Sequence, residues 1–191
     1  KYQVLGDTAY CIGESGISVE LSGSQTGVNY ILKKNGNNED TIPGTGGSLS
    51  WKNRNQGIYR IVAENAVNGC KTSMNGHLKV SEYDTPDAYA GKDTSLCRGY
   101  PVQLNASGGV VYSWNTSQGL SDSYASPEHS KTYVVTVKDE NHCVDKDTVV
   151  VDVFPNPTAN AGGDTSLCRG EAITLTAQGG ASYKWSTGQT T

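Results

Sequence analysis

The sequence predicts an all-β protein built from tandem β-sandwich modules, and three observations carry that prediction. Apolar and polar residues alternate over short stretches, which is the period of half-buried strands. A heptapeptide recurs unchanged at a fixed offset. The composition favours turns and strands over helices, because among 191 residues 23 are Gly and 11 are Tyr but only 1 is Met, and helical proteins draw on Ala, Leu, Glu, Lys and Met.

The repeat sets the organisation. Asp93, Thr94, Ser95, Leu96, Cys97, Arg98 and Gly99 return as Asp164, Thr165, Ser166, Leu167, Cys168, Arg169 and Gly170, an offset of 71 (168 − 97). Tyr112 and Trp114 follow the first copy at the same spacing as Tyr183 and Trp185 follow the second. A looser copy opens the chain with Asp7, Thr8, Ala9, Tyr10 and Cys11. Proline-bearing stretches at Pro86, and at Pro155 and Pro157, separate the copies. They read as stiff joints, since proline fixes its own φ. The expected modules are 1–82, 83–155 and 156–191. The period would end the third near residue 232 (161 + 71), about 41 past Thr191 (232 − 191), so it is expected to be partial.

Within the modules, alternation marks the strands in order. Ile17, Val19 and Leu21 form one in the first module; Val102 and Leu104, then Tyr133, Val135 and Val137, then 148–153 form others in the second; Ile173 and Leu175 begin the third. Asn35 and Gly36, and Asn68 and Gly69, supply the positive φ that tight turns need. About seven short strands per module with turns between them is the pattern of a small Greek-key sandwich of immunoglobulin type. The repeated register of Tyr112, Trp114, Tyr183 and Trp185 fits core aromatics. Trp51 stands outside that register and is the candidate for an exposed, ligand-contacting aromatic.

Charge excludes several partners. Lysine plus arginine total 15 against 19 acidic residues, a net charge of −4, and no basic cluster occurs, so neither nucleic acid nor anionic lipid is an expected partner. No run of 18 apolar residues is present, so no helical membrane insertion is expected. Residues 1–6 lack the apolar stretch of a secretory signal, so the chain is expected to start downstream of one or never to have had one.

The five cysteines take corresponding places. Cys11 and Cys70 fall in the first module and Cys97 and Cys143 in the second, which predicts one disulfide within each module and an oxidising compartment. Each closure would contribute about 4 kcal/mol by loop entropy. Cys168 would then be unpaired by truncation, its partner falling at 214 (168 + 46). Zinc is the competing reading, but the cysteine and histidine spacings do not suit it.

No catalytic arrangement is legible. His77, His129 and His142 have no repeated partner, and no serine elbow, metalloprotease helix or phosphate loop appears. No cofactor is expected. Asp139, Glu140, Asn141, Asp145 and Asp147 cluster near a turn in the way calcium loops do, although an acidic solvated hairpin is the favoured reading. The recurring Asp7, Asp93 and Asp164, each before Thr, read as local Asx-turn formers.

Together, the Asp-Thr entry with its cysteine, Gly108 and Gly109 leading to Tyr112 and Trp114, and the Thr132 to Val137 strand followed by Asp139, Asn141 and Cys143 resemble the immunoglobulin-like or PKD-like repeats of very long Bacteroidota surface proteins. The SprB-type gliding-motility adhesins are among their bearers. Module one, with Tyr10 to Gly13, Leu21 to Tyr30 and Asn65 to Cys70, is similar to a sister repeat of the same proteins. The resemblance implies passage through the type IX secretion machinery and display on the outer face of the outer membrane. It also gives meaning to Asp-Ser/Thr-apolar triplets, which carry O-glycans in such proteins and here place candidate acceptors at Thr8, Thr41 and Thr148. Two functions follow as expectations: a non-catalytic stalk or fibre segment whose partners are neighbouring repeats, or accessory modules that bind surface polysaccharide for a secreted enzyme.

Overall fold

The computed structural model describes residues 1–116 and 121–190. Fifteen strands and no helix occur among them. The first sandwich contains β1 (Val4–Gly6), β2 (Ala9–Cys11), β3 (Ile17–Leu21), β4 (Val28–Lys34), β5 (Asn37–Pro43), β6 (Leu49–Arg54), β7 (Gly57–Asn65), β8 (Lys71–Ser73) and β9 (Leu78–Tyr83). The second contains β10 (Thr94–Cys97), β11 (Val102–Asn105), β12 (Val111–Trp114), β13 (Asp122–Ala125), β14 (Lys131–Lys138) and β15 (Val144–Phe154).

In the first unit a sheet ordered β1-β3-β6 faces one ordered β2-β9-β7-β4-β5, with β8 also on β7. Alternation decides what lies between them. In β6, Leu49 and Trp51 are buried while Ser50 and Lys52 are exposed; in β7, Tyr59, Ile61 and Ala63 point inward. These side chains close a core with Val19, Leu21, Tyr30 and Leu32. Asn35 (φ 50°) and Gly36 (φ 90°) turn β4 into β5, the paired left-handed geometry that matches the twist of a hairpin. Tyr59 donates its hydroxyl to the Asn55 carbonyl at 2.7 Å, closing a tyrosine corner at the start of its strand. Burial pushes its phenol up to about 12.

The second unit repeats this plan with fewer strands, as sheets β10-β15-β14-β12 and β11-β13. Leu104, Trp114, Tyr133, Val135, Val137, Val149 and Val151 form a core of their own. The two cores share no residue, as tandem modules require. One position shows why the repeat keeps its glycines. Gly108 (φ 106°) lies under the incoming chain so closely that a Cβ would sit 1.9 Å from the Asp87 carbonyl oxygen, and Gly179, 71 residues on, would meet Thr158 at 1.8 Å. Gly108→Ala therefore combines a forbidden φ with a backbone clash. A loss of at least about 2 kcal/mol in chemical denaturation is expected for the second unit.

Beyond Phe154, residues 158–190 reproduce the opening turns of the second unit. Asn160 bridges Gln178 as Tyr89 bridges Ser107, and Tyr183 bonds Gly180 as Tyr112 bonds Gly109. Ile173 and Leu175, expected to start a strand, are about half exposed, and Tyr183 and Trp185 are only half-buried, which corrects their placement as core aromatics. Their counterparts Val102, Leu104, Tyr112 and Trp114 pack against β13, β14 and β15. No such strands cover this face among residues 158–190. Trp114 is a core residue, 3% exposed, with half-buried Tyr112 packed against that core.

Candidate functional site at the joint between the sandwiches

β2 runs parallel to β9, the last strand of its unit, with Cys11 opposite Tyr83. The Ile12 amide donates to the Tyr83 carbonyl at 2.8 Å, and Glu14 folds back so that its carboxylate accepts from the Cys11 amide at 2.9 Å. Cys11 thus stands at the pole where the chain leaves the first sandwich. Cys143 closes the turn between β14 and β15. Its amide donates to the Asp139 carboxylate at 2.8 Å, its carbonyl accepts from the Asp139 amide at 3.0 Å, and His142 before it takes φ 68°. That turn lies where the chain enters the second sandwich, because Ala88 and Ala90 in the entering segment donate their amides to Asp145 and Asp147 at 3.1 and 2.8 Å.

The two cysteines are joined in a disulfide that spans the joint, with Cα atoms 5.6 Å apart and 132 positions between them in sequence. The expected pairs Cys11 with Cys70 and Cys97 with Cys143 do not form; Cys70, Cys97 and Cys168 are free and exposed. The reason is polarity. Cys97 lies opposite Phe154 at one end of β15 while Cys143 precedes Val144 at the other, and an eleven-residue strand separates its ends by roughly 35 Å. Cys70, next to the β7–β8 pairing, and Cys11, at the end of β9, lie at opposite poles in the same way. A disulfide needs Cα atoms about 4.4 to 6.8 Å apart.

Little else holds the joint. Ile12, Tyr83 and Val144, which flank the bridged cysteines, are 49, 37 and 43% exposed, so the covalent bond and the Asp145 and Asp147 clamps stand in for a buried apolar interface. Those clamps also account for the acidic cluster near the turn. Asp139, Asp145 and Asp147 each accept a backbone amide, and no group of three or more His, Cys, Asp or Glu side chains converges among the described residues. Asp93 reaches the Val150 amide at 2.8 Å, a contact 57 positions away in sequence where a local Asx turn is expected.

Trp51, expected to be an exposed ligand platform, is 1% exposed and pairs across β3 with Val19. The alternation of Leu49, Ser50, Trp51 and Lys52 is the signal that places it inside. Thr8, Thr41 and Thr148 are all exposed. His77, His129 and His142 stand on the surface, and none belongs to a hydrogen-bonded nucleophile-and-base pair among the described residues.

No protein-family model and no curated protein matches the chain. Solved structures similar to it include the fibronectin(III)-like modules of Clostridium thermocellum CbhA, at 13% identity and TM-score 0.43 over 80% of this chain and 95% of that one. Others are a Ca2+-stabilized adhesin of an Antarctic bacterium that binds ice, at 12%, 0.45, 83% and 52%, and three N-terminal domains of the bacteriophage RB49 Hoc capsid protein, at 13%, 0.41, 93% and 67%. At these values the similarities carry no argument about function. The chain's own two-sheet units and separate cores define its class: an all-β protein of tandem immunoglobulin-like sandwiches.

Proposed function

We propose that the chain is a non-catalytic segment of the stalk or fibre of a large secreted cell-surface adhesin, in which sandwiches joined end to end hold a distal binding region away from the cell. The supporting observation is the Cys11–Cys143 bond, which ties the exit pole of one unit to the entry pole of the next and so closes the joint that tension would open. The bond also belongs to an oxidising, extracytoplasmic setting. Under this reading the partners are neighbouring repeats of the same chain, export follows the type IX route, the outer face of the outer membrane is the destination, and a gliding-motility adhesin is the kind of parent. Exposed Thr8, Thr41 and Thr148 are accessible to O-glycosylation. The accessory polysaccharide-binding reading loses its candidate contact with Trp51 in the core. Immunogold labelling of intact cells with antibody to this chain tests the proposal: gold along extended surface filaments is expected, and label confined to the periplasm or to a soluble enzyme would overturn it.

A further inference from the structure

The bridge at the first joint uses one cysteine from each of two distinct places in the sandwich, and Cys97 and Cys70 each occupy one of those two places. Cys97 is the counterpart of Cys11. It ends a strand parallel to the last strand of its unit, opposite Phe154 as Cys11 is opposite Tyr83. The following amide, Arg98 or Ile12, donates to that last residue at 2.9 or 2.8 Å. A glycine with positive φ then turns the chain, Gly99 (85°) or Gly13 (89°). Cys70 is the counterpart of Cys143. Asn65 donates its amide to the Cys70 carbonyl at 2.9 Å as Asp139 does to Cys143 at 3.0 Å, and the residue before each cysteine, Gly69 (φ 70°) or His142 (φ 68°), is left-handed.

The approach to the second joint is also copied. Tyr83 precedes the bridged residue Tyr89 by six positions (89 − 83), and Phe154 precedes Asn160 by six (160 − 154). Gly179 lies under the incoming Thr158 carbonyl as Gly108 lies under Asp87. A turn built in a following unit as 139–143 is built in the second would therefore meet Cys97 as Cys143 meets Cys11.

We propose that one disulfide closes every joint of the array in the same register, from the exit-pole cysteine of each unit to the entry-pole cysteine of the next. Cys97 takes the entry-pole cysteine of the unit after it, 46 positions beyond Cys168. Cys70 takes the exit-pole cysteine of a unit before it. The reaction is thiol–disulfide exchange: two thiols become one disulfide while a protein disulfide oxidant takes up the two electrons and two protons and leaves as its dithiol. The bonds make a ladder that runs along the fibre beside the backbone, so each joint has two covalent connections. This goes beyond the stalk reading, since a secreted enzyme with such modules would show the same ladder.

Disulfide mapping tests it on the parent protein as cells make it, with thiols blocked before lysis and peptides analysed without reduction. The expected pairs are Cys11 with Cys143, and Cys97 with a cysteine of the following unit that closes a β14–β15-type turn. Cys97→Ser should expose one new alkylatable thiol per chain, located in that turn. In the 191-residue chain by itself, an alkylating agent should modify three of the five cysteines, Cys70, Cys97 and Cys168. Pairing of Cys97 with Cys143, Cys70 or Cys168, or free Cys97 in the parent protein, would overturn the ladder.

Discussion

Breaking the Cys11–Cys143 bond, by reduction or by Cys143→Ala, is expected to loosen the pair of sandwiches without unfolding either one. Each unit has its own apolar core, so neither needs the bridge to exclude water. The joint itself does need it, because the residues beside the cysteines remain about 40 to 50% exposed. What remains is the segment 84–93 with its Asp145 and Asp147 clamps, and two hydrogen bonds to half-buried carboxylates resist bending far less than a covalent link does. Small-angle scattering should show a broader distribution of end-to-end distances after reduction, while the amide and aromatic spectra of both cores persist. Where both units unfold together, a closed loop of 132 positions contributes about 5 kcal/mol by chain entropy. The joint transition should fall by up to that amount.

Trp51→Ala carries the second large effect. The side chain is the largest fully buried one in the first unit, packed among Val19, Leu21, Leu49, Tyr30 and Tyr59. Its indole N–H has no partner among the described residues, so the substitution removes packing alone. Truncating a buried tryptophan costs about 3 to 5 kcal/mol through lost transfer energy and the cavity left behind. Denaturant unfolding should show that loss in the first unit while the second, with its own core around Trp114, keeps its midpoint. A ligand-contacting tryptophan would behave the other way, leaving stability untouched and abolishing carbohydrate binding.

The elements that sequence exposes are those governed by local rules. Alternation located β3, β11 and β14, and the Asn35–Gly36 turn follows from the φ values those residues accept. Alternation around Trp51 holds the same information, but its place outside the repeated Tyr-Trp register points the other way, to exposure. The disulfide pairing was not legible, because it depends on which pole of the sandwich each cysteine reaches. That is decided by the parallel pairing of β2 with β9 and of β10 with β15, a long-range choice that leaves no trace in spacing. Asp145 and Asp147 carry the same lesson: their partners are amides 57 positions upstream, so two members of a cluster whose composition resembles a cation loop fasten a linker.

Pulling the oxidised chain from its two ends in a single-molecule instrument tests most directly whether the sandwiches are joined covalently in line. The bridge should withhold the 132 positions between its cysteines, about 460 Å of extended chain, and reductant should release that length as one locked segment. Extension to the full contour without reductant, or two smaller locked segments of about 200 and 160 Å, the lengths enclosed by loops of 59 (70 − 11) and 46 (143 − 97) residues, would contradict it.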